Sequence, residues 1–368
     1  MIKVAVVCGL LHAGGKKNLI MEYYRHIDKS KVQFDWICDS DSNSIPYEEV
    51  KRLGGNVYVI TPYKNLFTHC LQLWRIFKKN KYDIVHGYDN TLNVFSMMVA
   101  KAAGIKVRIN ESISMAHKGE WKTYIKLVLK PFSKIGATHF MANGDECGKW
   151  QFGEKAYNSG NVAIFKTVVD AKTNVYDPVL RDETRKKFGW TDNIVYGFIG
   201  RFEMQKNPLF MLDIFSEIAK IQKEAKLVII GHGSMEQQMN EKIKSLGISS
   251  QVENLGKRED IKQFYNAFDA FLLPSLYEGL PVVGVESQAC GLPIFFSTEI
   301  PQESSFCNLG QFISLDTPAS QWAEQIINET AKNIPIRQSR TKELIASGYD
   351  SESESKKLQE YYIRLVKD

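Results

Sequence analysis

The chain has 368 residues, enough for two domains of ordinary size, and is 44% hydrophobic and 24% charged, which excludes a disordered protein. No apolar run reaches the roughly 18 residues that a membrane-spanning helix needs, and the six cysteines (Cys8, Cys38, Cys70, Cys147, Cys290, Cys307) are scattered with no C-x-x-C, against a disulfide framework or zinc site and in keeping with a reducing cytoplasm. The net charge of +5 is uneven: residues 1–170 carry 24 Lys and Arg against 15 Asp and Glu, a net of +9, so an anionic membrane surface or an acidic acceptor is expected to meet this half.

The opening MIKVAVVCGL has one lysine before its apolar run and no small-residue cleavage site, so it reads as a first strand and not a signal peptide. Gly9, Gly14 and Gly15 punctuate the loop that follows, and 18–24 reads as a helix. The loop is a phosphate-binding candidate with neither G-x-G-x-x-G nor Walker spacing, and a plain β–α turn fits it too. Alternation continues with strands at 34–40 and 56–60 and helices at 46–53 and 65–79. A strand at 82–89 leads to a loop with His86, then come a helix at 93–103 and a strand at 107–110. Strand and helix in turn predict a doubly wound parallel sheet.

In 118–134, Lys118, Lys122, Lys126, Lys130 and Lys134 recur every fourth residue and share one helical face, with Trp121, Tyr124, Ile125, Leu127, Val128, Leu129 and Phe132 around the remainder. Such a helix can lie on an anionic membrane. It can equally pack on its own sheet with the lysines in water, and Pro131 can bend or end it. THFMANG (138–144) is a further strand and loop.

From 170 to 190 the chain is polar, with Pro178, and the domain boundary is expected there. The second half starts with a strand at 194–200, the loop GRFEMQKNP (200–208) and a helix from Pro208. Arg201 and Lys206 in that loop suit a diphosphate, one as a planar fork and one as a point charge, although two surface cations would look the same. KLVIIGHG (226–233) is a strand ending at Gly231 and Gly233; a helix (234–246), a strand (251–255), LGKRED (255–260) and a helix follow. DAFLL (269–273) is a buried strand, and PSLYEGLPVVGVESQACGLP (274–293) is a loop and helix that Pro281 starts and Gly291 and Pro293 stop. Glu278 then lies in the loop before the helix and Glu286 on it, with the N–H groups of Gly279 and Leu280 near the helix start, where an anion can bind. Two glutamates eight apart are also ordinary solvated charges; the strand, the Gly-Leu-Pro turn and the small residues Gly284, Ser287 and Ala289 favour a site. Strands at 293–297 and 312–315 and helices near 319–332 and 351–366 finish the chain.

The order GRFEMQKNP, KLVIIGHG, LGKRED, LLPSLYEGLPVVGVESQACGLPIFFS resembles the retaining glycosyltransferases of family 4, nearest the bacterial enzymes that build capsular polysaccharide or exopolysaccharide. The resemblance covers nearly the whole chain and is strongest from 194 to 320. It implies an α/β GT-B fold: two Rossmann-like doubly wound parallel-sheet domains facing across a cleft. Residues 1–175 would be the acceptor side, 190–348 the nucleotide-sugar side, and 349–368 a helix crossing back. It implies that Arg201 and Lys206 hold the donor diphosphate, that Glu286 meets the ribose and that Glu278 lies by the transferred sugar. Gly279 and Leu280 would approach donor oxygens, Gly14 and Gly15 both donor and acceptor, and Lys257 and Arg258 the base, with Gly200 and Gly231 lining the loops. A metal-independent transfer without cofactor is implied, and no D-x-D motif stands where a metal-using enzyme carries it. The resemblance further implies a nucleoside diphosphate sugar as donor, with UDP expected on that ground alone, and a glycan or lipid-linked oligosaccharide as acceptor, at the inner face of the cell membrane.

One departure falls in the first half. Relatives often read VRIAHSH where this chain reads VRINESIS, with Asn110 and Glu111 at the alanine and histidine. Glu111 or His117 is the candidate for the missing catalytic group. In the linker, KTVVD (166–170) replaces an N-G-I-D turn. A sugar-nucleotide epimerase of the same fold, or a non-catalytic sugar-nucleotide or glycan-binding partner, are the competing functions. No nucleic-acid motif is present, and the glycine fingerprint of a nicotinamide dehydrogenase is missing.

Overall fold

Apolar strands alternating with amphipathic helices build two units in the computed structural model, which describes residues 1–12, 14–115 and 121–367, without the side chains of 121–123. Unit 1 is Met1–Val168 with Gly348–Asp368, and unit 2 is Val169–Ser347.

Unit 1 runs β1 (Ile2–Gly9), α1 (Gly15–His26), β2 (Val32–Asp39), α2 (Tyr47–Arg52), β3 (Val57–Ile60), α3 (Leu66–Asn80), β4 (Ile84–Gly87), α4 (Asn93–Ala102), β5 (Val107–Ser112), α5 (Trp121–Leu129), β6 (His139–Ala142), α6 (Asp145–Phe152), α7 (Glu154–Asn158) and β7 (Val162–Ile164). Its sheet has the order β3-β2-β1-β4-β5-β6-β7, all pairs parallel. Val4 to Cys8 are fully buried because both faces of the sheet are covered, which is why β1 reads as one apolar run and not an alternation. Residues from α1 and the last helix fill one face, while Leu73, Phe77, Met97 and Ala100 from α3 and α4 fill the other.

Unit 2 runs α8 (Pro178–Phe188), β8 (Ile194–Ile199), α9 (Pro208–Ile221), β9 (Ala225–Ile230), α10 (Glu236–Ser245), β10 (Val252–Asn254), α11 (Ile261–Ala267), β11 (Ala270–Leu273), α12 (Val282–Ala289), β12 (Ile294–Ser297), β13 (Gly310–Ile313), α13 (Ala319–Asn333) and α14 (Thr341–Ala346). Its parallel sheet has the order β10-β9-β8-β11-β12-β13. The last helix, α15 (Ser351–Lys367), belongs to unit 1, where Leu358 and Tyr362 enter the core. In each sheet the winding reverses beside the first strand, between β1 and β4 and between β8 and β11. Ligands of open parallel sheets bind at the carboxyl edge of such a reversal.

Three expectations change. His86 is not in a loop: it lies inside β4 with no exposure, because Glu111 and Tyr362 give both ring nitrogens a polar neighbour. The 118–134 helix is described only from Trp121 and ends at Leu129, with a 3₁₀ turn at Lys130–Phe132 where Pro131 has no N–H to donate. Of its lysines, Lys118 and the side chain of Lys122 lie outside the described residues, and Lys134 is exposed. Tyr124, Ile125, Leu127 and Val128 are exposed, while the Lys126 ammonium folds back to the Met115 carbonyl, 3.1 Å away. The polar stretch at 170–190 contains a helix, α8: Asp177 caps its first N–H groups, Pro178 opens it and Gly189, at φ +72°, closes it. Beyond these, β7, which the sequence reading does not include, is a strand of three residues, too short for any alternation to show.

Candidate functional site

The carboxyl edge of unit 2 gathers three loops. Beyond β8 the Gly200 N–H donates to the Ile230 carbonyl (3.0 Å) and the Phe202 N–H to that of His232 (3.0 Å). Beyond β9 the Gly231 N–H donates to the Gly256 carbonyl (2.9 Å). Gly231 has φ +149°, and a Cβ there would stand 1.9 Å from the Gly200 oxygen, so only glycine lets the two loops pass this closely. Gly200, Arg201, Gly231 and the LGKRED turn are thereby fixed along one edge. Lys257 there is exposed. Arg258 turns into its own loop: its Nε lies 2.8 Å from Asp260 Oδ1, and its guanidinium lies 5.4 Å from the centre of the Phe264 ring.

The loop after β11 comes to the same place. The Leu276 N–H donates to the Gln205 carbonyl (2.8 Å). Lys206 Nζ lies 2.6 Å from Glu278 Oε1, with side chains only 12% and 8% exposed. Gln205 joins the rest: its Oε1 accepts from Arg201 Nη2 (2.9 Å), and its Nε2 donates to the Tyr277 carbonyl (3.2 Å) and to Glu278 Oε2 (3.3 Å). Arg201 is otherwise exposed to solvent. Gly279 and Leu280 form the bend before Pro281 and α12. Glu286, on α12, accepts a 2.7 Å hydrogen bond from the Tyr265 hydroxyl, whose pKa is pushed well above its ordinary value by burial and then by the Glu286 charge. The phenol therefore stays a donor. Burial works upward on Glu203, but hydrogen bonds from Ser234 and the nearby Arg201 outweigh it and hold the carboxyl below its usual range.

Sequence reasoning misses Gln205 and Tyr265. Gln205 lies within the Arg201–Lys206 loop and could have been asked what separates those charges. Tyr265 carries no spacing signal toward Glu286.

The carboxyl edge of unit 1 holds Gly14, the residue before α1 at φ +137°, and Gly15, its first residue; no heavy atom lies within 4 Å of where a Cβ would be on either. Below them Lys16 Nζ lies 2.7 Å from Asp89 Oδ1. Asp39, at the end of β2, is 3.6 Å from His69 Nδ1, which also meets the Thr61 carbonyl at 2.7 Å. Burial, then the charges of Asp89 and Asp41, push the Asp39 carboxyl up to about 7, against the pull of Lys16. Glu111 is 2% exposed and faces the core, its Oε2 2.8 Å from His86 Nε2, while His86 Nδ1 is 2.7 Å from the Tyr362 hydroxyl. His117 lies outside the described residues. So Gln205 joins Arg201 to Glu278, Lys206 meets Glu278 directly, and Gly200 and Gly231 share their edge. Glu111 is turned into its own unit's core. Among the described residues, no three His, Cys, Asp or Glu side chains are grouped to hold a metal ion.

Residues 181–339 match the family described as Glycosyl transferases group 1. Over 362 residues the chain is 30% identical to the putative glycosyltransferase EpsF of Bacillus subtilis (strain 168), covering 95% of this chain and 93% of that one. It is 26% identical over 316 residues to the UDP-Gal:alpha-D-GlcNAc-diphosphoundecaprenol alpha-1,3-galactosyltransferase of Escherichia coli, covering 80% and 79%. Among solved structures, Anabaena Alr3699/HepE in complex with UDP-glucose superposes with a TM-score of 0.81 at 16% identity, over 99% of this chain and 100% of that one.

Proposed function

The chain belongs to the glycosyltransferases and has their GT-B fold, and on that premise we propose that it moves a sugar, with retention of configuration, from a UDP-sugar to a lipid-linked glycan in polysaccharide biosynthesis. The observation that carries this is the joined set Arg201, Gln205, Lys206 and Glu278 at the carboxyl edge of unit 2. The UDP choice is supported by the UDP-glucose complex of the Anabaena structure, and the lipid-linked acceptor by the diphosphoundecaprenol named for the E. coli relative.

Breaking the sugar–phosphate bond loads negative charge onto the leaving diphosphate. In this reading Arg201, as a fork, and Lys206, as a point charge, stabilise that charge as it grows, the part a metal ion plays in other transferases. Glu278 keeps Lys206 in place and lies by the transferred sugar, while Glu286, oriented by Tyr265, takes the ribose hydroxyls. Gly14 and Gly15 leave room for substrate atoms at the edge of unit 1. The acceptor hydroxyl attacks the face the diphosphate leaves, and a phosphate oxygen takes its proton. Glu111 is read as a buried partner of His86 that holds β4, β5 and α15 together, not as a group that meets sugar.

No helix of the described residues is long and apolar enough to cross a membrane. The exposed Tyr124, Ile125, Leu127, Val128, Phe132 and Ile135, with Lys134 exposed among them, form the surface proposed to rest on an anionic bilayer at the cytoplasmic face. Co-sedimentation with anionic vesicles tests it: Val128→Asp with Phe132→Asp should release the protein, and unchanged binding removes the role. The activity test is incubation with a panel of UDP-sugars and a diphosphoundecaprenol-linked sugar. Transfer with the donor's anomeric configuration kept in the product supports the reading; an epimerised UDP-sugar, or no transfer from any donor, overturns it.

A further inference from the structure

We propose that Gln205 is a positioning residue of the donor site, holding Arg201 in a pre-set orientation; the inference rests on the reading of that edge as the place of the donor diphosphate. A primary amide carries an acceptor at one end and two donors at the other. At Gln205 the oxygen meets Arg201 Nη2 at 2.9 Å, and the nitrogen meets the Tyr277 carbonyl at 3.2 Å and Glu278 Oε2 at 3.3 Å. Only one orientation of the amide works. Flipped, its N–H groups would face the guanidinium and its oxygen would face a carbonyl and a carboxylate.

The backbone of Gln205 is fixed as well, its carbonyl accepting from the Leu276 N–H at 2.8 Å. The residue is thus anchored at three points, two on the amide and one on its backbone, before it reaches Arg201. The anchored amide is a neutral spacer between a cation and a carboxylate. It orients the guanidinium without itself adding a counter-charge to it. Lys206 differs, because it already sits 2.6 Å from Glu278. An arginine that is loose before binding must give up its rotamer freedom when the diphosphate arrives, which weakens binding. A side chain that acts in this way changes affinity for the group Arg201 meets and not affinity for the remainder of the nucleotide.

The experiment is calorimetric titration of the full chain with UDP and with UMP, for wild type, Arg201→Ala, Gln205→Ala, Gln205→Glu and the Arg201→Ala/Gln205→Ala double variant. The expected result is a Kd for UDP about 3–10-fold weaker in Gln205→Ala, with the Kd for UMP nearly unchanged. The double variant should bind UDP no worse than Arg201→Ala alone, because the amide acts through the arginine. Gln205→Glu, which sets a negative oxygen against the Tyr277 carbonyl and Glu278 and gives Arg201 a counter-charge, should hold UDP no more tightly than Gln205→Ala. If Arg201→Ala weakens UDP and Gln205→Ala does not, or weakens UDP and UMP alike, or adds fully to Arg201→Ala, the role of Gln205 is overturned while the donor site stands. If wild type binds no UDP, or Arg201→Ala binds it as wild type does, the donor-site reading falls and this inference with it.

Discussion

Replacing Lys206 by methionine keeps most of the side chain's length and removes the ammonium 2.6 Å from Glu278 Oε1. The carboxylate, 8% exposed, is then left with the 3.3 Å contact from Gln205 Nε2. Two unit charges about 3 Å apart attract by roughly 5 kcal/mol at an effective dielectric of about 20. Desolvation offsets much of that, and removing one partner of a buried pair costs about 3–5 kcal/mol because the other charge is stranded. Since Lys206 is 12% exposed, water reaches the site and the low end applies, so about 3 kcal/mol is expected. Glu278→Gln in the Lys206→Met background removes the stranded charge. The double variant should therefore be more stable than the sum of the single losses predicts, by roughly 2 kcal/mol. Denaturant unfolding of the ligand-free protein measures this, fitted with a separate transition for each unit. UDP binding should stay weak in the double variant, because the cation is still missing. Strictly additive losses, or a Lys206→Met protein as stable as wild type, would refute the idea that Glu278 is held as a buried anion by Lys206.

Asp269→Ala should cost about 3–5 kcal/mol, read by thermal unfolding, since it removes the carboxylate between Arg181 and Arg185 and the acceptor of the Val195 N–H; an unchanged transition would contradict it. Asp39→Asn should change the pH dependence of stability. The native carboxyl, raised to about 7, keeps a proton that the unfolded chain releases near its ordinary value, so wild-type stability should fall as pH rises from about 4 to about 7 and then level. The variant should lack that fall and be the more stable at pH 8, on the order of 2 kcal/mol, and parallel pH curves would count against the shift. Gly231→Ala should force apart the loops at Gly200 and Gly231, where a Cβ would stand 1.9 Å from the Gly200 oxygen, and weaken UDP binding at least tenfold; binding within twofold of wild type would show that the loops yield freely.

The fold class is legible because its strands are buried on both faces. Runs such as VAVVC and DAFLL are strand signals that need no knowledge of what covers them, and alternation with helices leaves few arrangements. What is lost is whatever depends on distant partners. His86 reads as a loop residue because the two groups that let it be buried, Glu111 and Tyr362, lie 25 and 276 positions away. The lysine period in 118–134 is real, but spacing alone says nothing of which face turns outward. The structure covers neither Tyr124 nor Val128, and Lys126 reaches back to a carbonyl. α8 is a different kind of miss. Asp177, Pro178 and Gly189 are its cap, start and stop, all present in the sequence and masked by the polarity of what lies between them.

At the site, Arg201, Lys206 and Glu278 can be picked out because charged residues after buried strands are unusual enough to ask about. That Lys206 touches Glu278 follows from β8 and β11 being neighbours, which the order of elements suggests only once the sheet is drawn. Gln205 escapes because a neutral amide beside two cations reads as filler; which end of the amide faces which charge is set only by the fold.

The measurement that bears most directly on the central claim is titration of wild type and Glu286→Ala with UDP, GDP, ADP and CMP in a calorimeter. The account predicts that UDP binds wild type in preference to the other three, and that Glu286→Ala weakens it about tenfold or more, as expected for losing a charged hydrogen-bond acceptor. Equal binding of UDP by the two proteins, or binding of none of the four by wild type, would contradict a donor site at the carboxyl edge of unit 2.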